Sequence, residues 1–442
     1  MKKRFNKQIY IEDCEKYIII FNAISNQLTV IDNIEDVNIF RQLRKNINSN
    51  RKTKLFDDLC SLGVIVDSDF DEYAYVKYLY NNICTKSRTL KLYISPTNAC
   101  NFRCKYCYVC DSSSPTITSS ILDGTIHFIE KQIEAFGYNK IVISWFGGEP
   151  TLCETIIVDY MKKLSEKFKG TASVEGYVTT NGYLLNEQMF NNFTKSNIVG
   201  YQITVDGYAE THNKLRVLHN GDPTWETVIK NLKYIHDNSN GIDVIFRINY
   251  NEEIVESIFD FIDYVSKNFY KFKIHIHPIS HLSDDSEVKD CVCDTTFAQI
   301  AKVNLYQHFA EFGINNDVVN TLSLFGGMCY ASMVNSFFIV PNGDIMKCTV
   351  AVENEKNIVG KIFDKDNFVL YQDKLSKWVT YKEHRSECKK CWCFPICFGI
   401  SCPKSLVIDN SKRCQQNKTA LSNFINAVAK RALCEKNKVF EQ

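Results

Sequence analysis

The chain has 442 residues, 45% of them hydrophobic, and a formal net charge of +1. That length suggests about three domains, and near-neutrality gives no electrostatic case for nucleic acid or an anionic membrane. No apolar run approaches the roughly 20 residues of a spanning helix. The basic start "MKKRFNKQIYIED" has no apolar stretch behind it, so the expectation is a soluble, cytoplasmic protein without a signal peptide.

Residues 1–88 read as a small α/β module. Short strands are expected at "KQIYIED", "KYIIIFNA" and "QLTVID", helices at "EDVNIFRQLRKN" and "KTKLFDDLCSLG", and a strand at "VIVDSDF". From 89 to 285 strands and helices alternate, as in parallel α/β units. The strands are "LKLYIS", "KIVISWF", "SVEGYVTT", "GYQITVD", "IDVIFRIN" and "KFKIHIHP". Six such repeats predict a partial (β/α)6 TIM-like barrel, smaller than the eight-unit closed form. Residues 286–442 read as cysteine-rich and irregular, with a β-hairpin turning at "PNGD" and a closing helix around "KTALSNFINAVAKRAL".

Nineteen cysteines are many for a reducing compartment, and they are clustered: four lie between Cys100 and Cys110, seven between Cys388 and Cys434. Such clusters point to metal ligation before cross-linking. Cys100, Cys104 and Cys107 form C-x3-C-x2-C directly after the first barrel strand, at the end where barrels place their chemistry. Taken alone, the trio reads either as a zinc site completed by Cys110 or a distant His, or as three ligands of a 4Fe–4S cube with one iron left open.

This loop resembles the signature of the radical SAM enzymes. The resemblance implies that S-adenosylmethionine (SAM) chelates the open iron and is reductively cleaved to a 5′-deoxyadenosyl radical, with an electron donor such as flavodoxin or ferredoxin. It extends along the barrel. Tyr106 is placed like the aromatic cover of cluster and adenine. "GGEP" (Gly147, Gly148, Glu149, Pro150) resembles the motif for the methionine ammonium, with a carboxylate facing a cation. "TVDG", with Thr204 and Asp206, follows the fourth strand, and Arg216 is placed like the arginine that pairs with the SAM carboxylate.

The C-terminal cysteines resemble the seven-cysteine SPASM extension, which implies two auxiliary clusters and three 4Fe–4S clusters in all. Cys388, Cys391, Cys397 and Cys414 would ligate one; Cys329, Cys348 and Cys402 would hold the other. Residues 330–347 contain no cysteine, so the inner cluster either keeps an open iron for a substrate thiolate or is closed by Cys291, Cys293 or Cys393. "FGIS" puts four residues between Cys397 and Cys402, where relatives usually have three.

The first 88 residues resemble in layout a winged-helix leader-recognition domain, which would add an extended leader peptide to a sheet edge. The whole is then similar to maturases of ribosomally made peptides, with a precursor peptide as partner and a cysteine sulfur-to-carbon thioether as the expected product. Anaerobic sulfatase maturases usually carry an Asp after the hairpin cysteine, where this chain has Thr349. A formylglycine-forming enzyme of that kind, or a non-catalytic Fe–S redox or binding protein, is the alternative.

Overall fold

The computed structural model describes residues 2–49, 51–109, 115–280, 292–379, 385–399, 402–411, 414 and 416–440. Cys110 and Cys291 lie outside the described residues.

The N-terminal module opens with β1 (Lys3–Phe5) and a three-stranded antiparallel meander, β2 (Tyr10–Asp13), β3 (Ile18–Asn22) and β4 (Gln27–Ile31). Then come α1 (Ile34–Lys45), α2 (Lys54–Ser61), β5 (Ile65–Asp67), which pairs antiparallel with β1, and α3 (Glu72–Lys86). Asn33 and Thr53 cap α1 and α2 with side-chain oxygens that accept from first-turn N–H groups. Alternate residues of β3 serve two cores. Ile18 and Ile20 pack with Val37, Phe40 and Leu59 of the module's own helices, whereas Ile19 and Phe21 belong to the main core of the molecule.

The barrel consists of β6 (Thr89–Ile94), α4 (Ser119–Phe136), β7 (Lys140–Trp145), α5 (Glu154–Lys167), β8 (Ser173–Thr180), α6 (Glu187–Lys195) and β9 (Ile198–Thr204). It continues through α7 (Ala209–Leu215), α8 (Trp225–Asn238), β10 (Asp243–Tyr250), α9 (Val255–Asn268) and β11 (Lys273–Pro278). The six strands are parallel and adjacent in chain order. Leu90, Leu92 and Ile94 of β6, and the equivalent alternate residues of its neighbours, are buried against the helices. The other face carries Tyr93, Ser144, Thr179, Gln202 and Arg247, all part-exposed, and lines the lumen.

After α10 (Thr295–Phe312) and α11 (Val318–Leu322), the expected hairpin forms from β12 (Ser336–Ile339) and β13 (Asp344–Met346). It does not stand apart. β12 pairs parallel with β6, and β14 (Ile358–Ile362) and β15 (Phe368–Leu370) extend the same sheet to ten strands. The sheet thus runs through the boundary expected near residue 286. Short helices α12 (Gln372–Val379), α13 (Phe394–Cys397) and α14 (Pro403–Val407) lead to α15 (Lys418–Phe440), which packs along α10. Among the described residues no helix is long and apolar enough to cross a membrane.

Candidate functional site

The site sits at the C-terminal ends of the barrel strands. The three-cysteine loop leaves β6 and runs beside the segment after α7. Arg103 N–H donates to Val217 O (2.8 Å), Lys105 N–H to Leu215 O (3.0 Å), and His219 N–H to Asn101 O (3.0 Å). This pairing carries Arg216 to Tyr106, 110 residues away in sequence: Arg216 Nη1 donates to the Tyr106 hydroxyl at 2.6 Å. Tyr106 in turn donates to Asp206 Oδ2.

Asp206 is fully buried, and its Oδ1 accepts from Asn249 N–H (2.8 Å) and Asn249 Nδ2 (3.1 Å). Arg216 lies 3.7 Å from Asp206 Oδ2, with its guanidinium 5.6 Å from the Phe102 ring centre. The expected cofactor residues Tyr106, Asp206 and Arg216 are therefore one knot, tied by Asn249. His212 holds it from behind. Its Nδ1 accepts from Asp206 N–H at 3.2 Å, so Nε2 carries the proton and meets Thr224 Oγ1 at 3.0 Å. Burial, aided by Arg216, pushes His212 well below the usual imidazole range and keeps it neutral. Neither Asn249 nor His212 stands in a recognisable motif, and the sequence reading missed both.

Removing Arg216 strips a buried carboxylate of its cation. Arg216→Ala should lower stability by about 3–5 kcal/mol, read as a fall in the thermal midpoint. It should also weaken SAM binding more than Thr204→Ala does, because a charge-assisted contact outweighs a hydroxyl bond. Equal losses in a SAM titration would remove Arg216 from the cofactor contacts.

Gly147 and Gly148 dock the β7 turn onto the start of the cysteine loop. Gly148 N–H donates to Thr97 O (3.0 Å) and Glu149 N–H to Ala99 O (2.8 Å). A Cβ at Gly148 would lie 2.2 Å from the Ala99 and Asn98 carbonyl oxygens, and Gly147 has φ +140°. Their close approach is to this loop. Glu149 is held by four hydrogen bonds from the protein itself. Its Oε1 accepts from Thr151 N–H (3.0 Å), Thr151 Oγ1 (2.6 Å) and Thr180 Oγ1 (2.6 Å), and Oε2 from Asn181 N–H (2.7 Å). The side chain is 1% exposed, and burial raises its pKa while these donors pull it back. Glu149 therefore braces the turns after β7 and β8, with Pro150 opening the 3-10 turn that follows.

The cysteines fall into three groups. Cys104 senses the charge of Cys107 and Cys100; burial pushes its thiol up to about 12, with Arg216 pulling the other way. Cys329 senses Cys348 and Cys402, and Cys348 senses Cys402. Cys388, Cys391, Cys397 and Cys414 line one cavity with Arg385 and Lys418. There the Cys391 thiol is pulled down to about 5, first by hydrogen bonding from Cys393 and also by Lys418. Two residues offered as a fourth ligand for the inner trio lie elsewhere. Cys393 is in the outer quartet's cavity, and Cys293 Sγ meets Tyr250 O at 3.2 Å. The side chain beside the inner trio is Tyr330. It senses Cys348 and Cys329, and its ring lies 4.1 Å from that of lumen-facing Tyr93.

These arrangements fit iron–sulfur cubes. A cube takes one thiolate per iron. Cys100 Sγ already accepts from Phe102 N–H at 3.3 Å. Arg216 Nε and Asn101 Nδ2 are buried donors without partners, suited to acceptors that a cluster and SAM would bring.

Residues 94–262 match the family model of the Radical SAM superfamily. The cysteine-type anaerobic sulfatase-maturating enzyme of Clostridium novyi (strain NT) is 23% identical over 378 residues, spanning 80% of this chain and 94% of that protein. The radical SAM cyclopropyl synthase TigE of Paramaledivibacter caminithermalis is 22% identical over 68% of this chain and 66% of its own length. Among solved structures, native anSMEcpe with bound AdoMet and Cp18Cys peptide superposes with a TM-score of 0.62 at 18% identity, over 79% of this chain and 99% of that one. Streptococcus suis SuiB bound to precursor peptide SuiA gives a TM-score of 0.52 at 17% identity, over 93% of this chain and 98% of that one. The partial barrel, the cysteine loop after its first strand and the family match agree that residues 94–262 carry a radical SAM domain.

Proposed function

We propose that the chain is a SPASM-type radical SAM maturase that modifies a residue of a ribosomally made precursor peptide, with a cysteine sulfur-to-carbon thioether as product. The observation that supports this reading is the sorting of the thiols into three separate groups, one of them on the loop at the C-terminal ends of the barrel strands. Cys100, Cys104 and Cys107 would hold the cube that binds SAM; when bound, the pair supplies a 5′-deoxyadenosyl radical in exchange for one electron from a flavodoxin- or ferredoxin-class donor. Tyr106, Thr204, Arg216 and the Gly147–Pro150 turn would orient SAM toward the lumen. Tyr330, which senses Cys329 and Cys348, lies against lumen-facing Tyr93, so an iron left open on the inner trio, Cys329, Cys348 and Cys402, would be placed to take a substrate thiolate. Such chemistry suits a reducing cytoplasm.

The peptide reading draws on the neighbours, two of which are solved with peptides bound. The match to anSMEcpe leaves about a fifth of this chain uncovered, close to the share of the first 88 residues, whereas the SuiB match spans 93%. The module offers a sheet edge at β4. Beside it a groove of about 360 Å³ is lined by Thr29, Leu55 and Leu62 and by the carboxylates Asp32, Asp36 and Asp58. An extended leader with basic side chains would add to β4 as a strand and meet those acids.

The sulfatase-maturase reading is favoured by the similarity over 94% of the Clostridium novyi enzyme. Against it stands Thr349, whose hydroxyl accepts from Tyr330 at 2.7 Å where that class would have an acid. Anaerobic incubation with SAM and dithionite tests the common core. 5′-Deoxyadenosine should form, and its absence from iron-loaded protein would leave the non-catalytic Fe–S alternative.

A further inference from the structure

Strand β10 puts into the lumen a charge that neither the clusters nor the SAM contacts use. Along β10, Val244, Phe246 and Ile248 are buried against the helices, so Arg247 faces inward. Register partners in parallel strands share a face, and those of Arg247 are Thr204 on β9 and His275 on β11. Arg247 Nε donates to Asn249 Oδ1 at 3.1 Å, which ties the guanidinium plane to the Asp206 knot and leaves the fork pointing into the lumen.

Among the described residues Arg247 forms no ion pair. Asp206, whose charge it senses, is already taken by Tyr106, Asn249 and Arg216. Lys302 adds positive potential nearby, and the neighbouring imidazoles are neutral. Burial, reinforced by Arg247, pushes His275 well below the usual range and His277 to about 3, and Lys302 acts on both in the same sense. Asp317, 3.7 Å from His275 Nε2, is the acid on that side, and burial raises it to about 6. Asp317 also senses Arg247 but lies against His275, so the part-buried guanidinium has no paired carboxylate among the described residues and gains from a ligand that supplies one. Its planar fork matches a carboxylate in two parallel hydrogen bonds.

We propose that Arg247 is a carboxylate receptor in the barrel lumen and a specificity-determining residue, taking an Asp or Glu side chain of the peptide close to the residue that reacts. The proposal rests on the peptide-maturase reading. The amino-acid end of SAM is the other carboxylate within reach of this part of the barrel. The substrate is favoured because Lys302 and the neutral, hydrogen-bonding imidazoles of His275 and His277 continue the polar surface away from Thr204, toward β11 and α10.

The test uses iron-loaded full-length protein with two probes, N-acetyl-glutamate N-methylamide and its glutamine counterpart, followed by saturation-transfer NMR, with SAM titrated in parallel. The wild type should bind the glutamate probe about tenfold more tightly than the glutamine probe. Arg247→Gln should erase that preference while the SAM Kd moves less than twofold. Arg247→Lys keeps a buried cation but loses the fork, and should reduce the preference at least threefold; it decides the matter if the Gln variant fails to load iron. No preference in the wild type, or an undiminished one in either variant, overturns the proposal. A loss confined to SAM would hand the guanidinium to the cofactor and overturn the substrate assignment. SAM cleavage by the wild type is read separately, so failure here leaves the maturase reading standing.

Discussion

Anaerobically reconstituted protein should contain about 12 irons per chain, and replacing Cys100, Cys104 and Cys107 together with Ala should leave about eight and abolish SAM cleavage. Cys104 is perturbed by Cys100 and Cys107, Cys329 by Cys348 and Cys402, and Cys397 by Cys391, Cys414 and Cys388. No thiol of one group features among the perturbers of these three in another. The loop itself should survive the triple change, because backbone hydrogen bonds to residues 215–219 and the buried Phe102 hold it without help from sulfur. Iron and sulfide analysis settles the count. Zinc in place of iron, or about four irons in the parent, would overturn the auxiliary clusters.

The barrel was legible because its strands obey one local rule. In "SVEGYVTT" and "KFKIHIHP" apolar residues alternate with polar ones, since one face packs on helices and the other lines a lumen. The hairpin was legible from "PNGD" for the same local reason. Its union with β6 was not, because β12 pairs across about 240 residues and no local pattern marks that. Helix α3 was missed too. Its buried residues Val76 and Tyr80 join a satellite core with Phe325, Phe394 and Phe398, so "EYAYVKYLYNNICTK" shows no clean stripe of its own. Helix α10 escaped notice because it is wedged between other elements and α15.

At the site, spacing revealed which cysteines belong together, and strand ends revealed where the motifs lie. Side-chain direction could not be read that way. Glu149 turns inward to four donors, and Arg216 meets Tyr106 only because two loops pair. Arg247 looked like any polar residue of an alternating strand until its register partners and the missing counter-charge were visible.

A double variant, Asp36→Lys with Asp58→Lys, should keep its iron and its peptide-independent SAM cleavage yet lose roughly a hundredfold in turnover of a leader-bearing precursor. Deleting residues 1–88 would be the blunter test, and the structure argues against it. Ile19 and Phe21 of β3 are part of the main core, Tyr10 donates to Asn426 of α15 at 3.0 Å, and its ring lies 5.0 Å from Trp392. Tyr80 stacks at 4.1 Å on Phe398, next to Cys397. The module is thus both the expected leader dock and a wall of the outer quartet, so a deletion would strip apolar surface from the cluster domain and confuse the two roles. Asp58 is exposed and Asp36 part-exposed at the groove beside β4, and reversing their charges leaves those packing contacts in place. A docked leader holds the core peptide near the lumen at an effective concentration in the millimolar range; without it the core must bind by its own weak contacts. Like charges facing a basic leader oppose docking while the barrel stays intact. Parent-rate turnover of the precursor by this variant would exclude the β4 groove as the leader site, and a parallel loss of about four irons would show that the substitutions had reached the outer cluster instead.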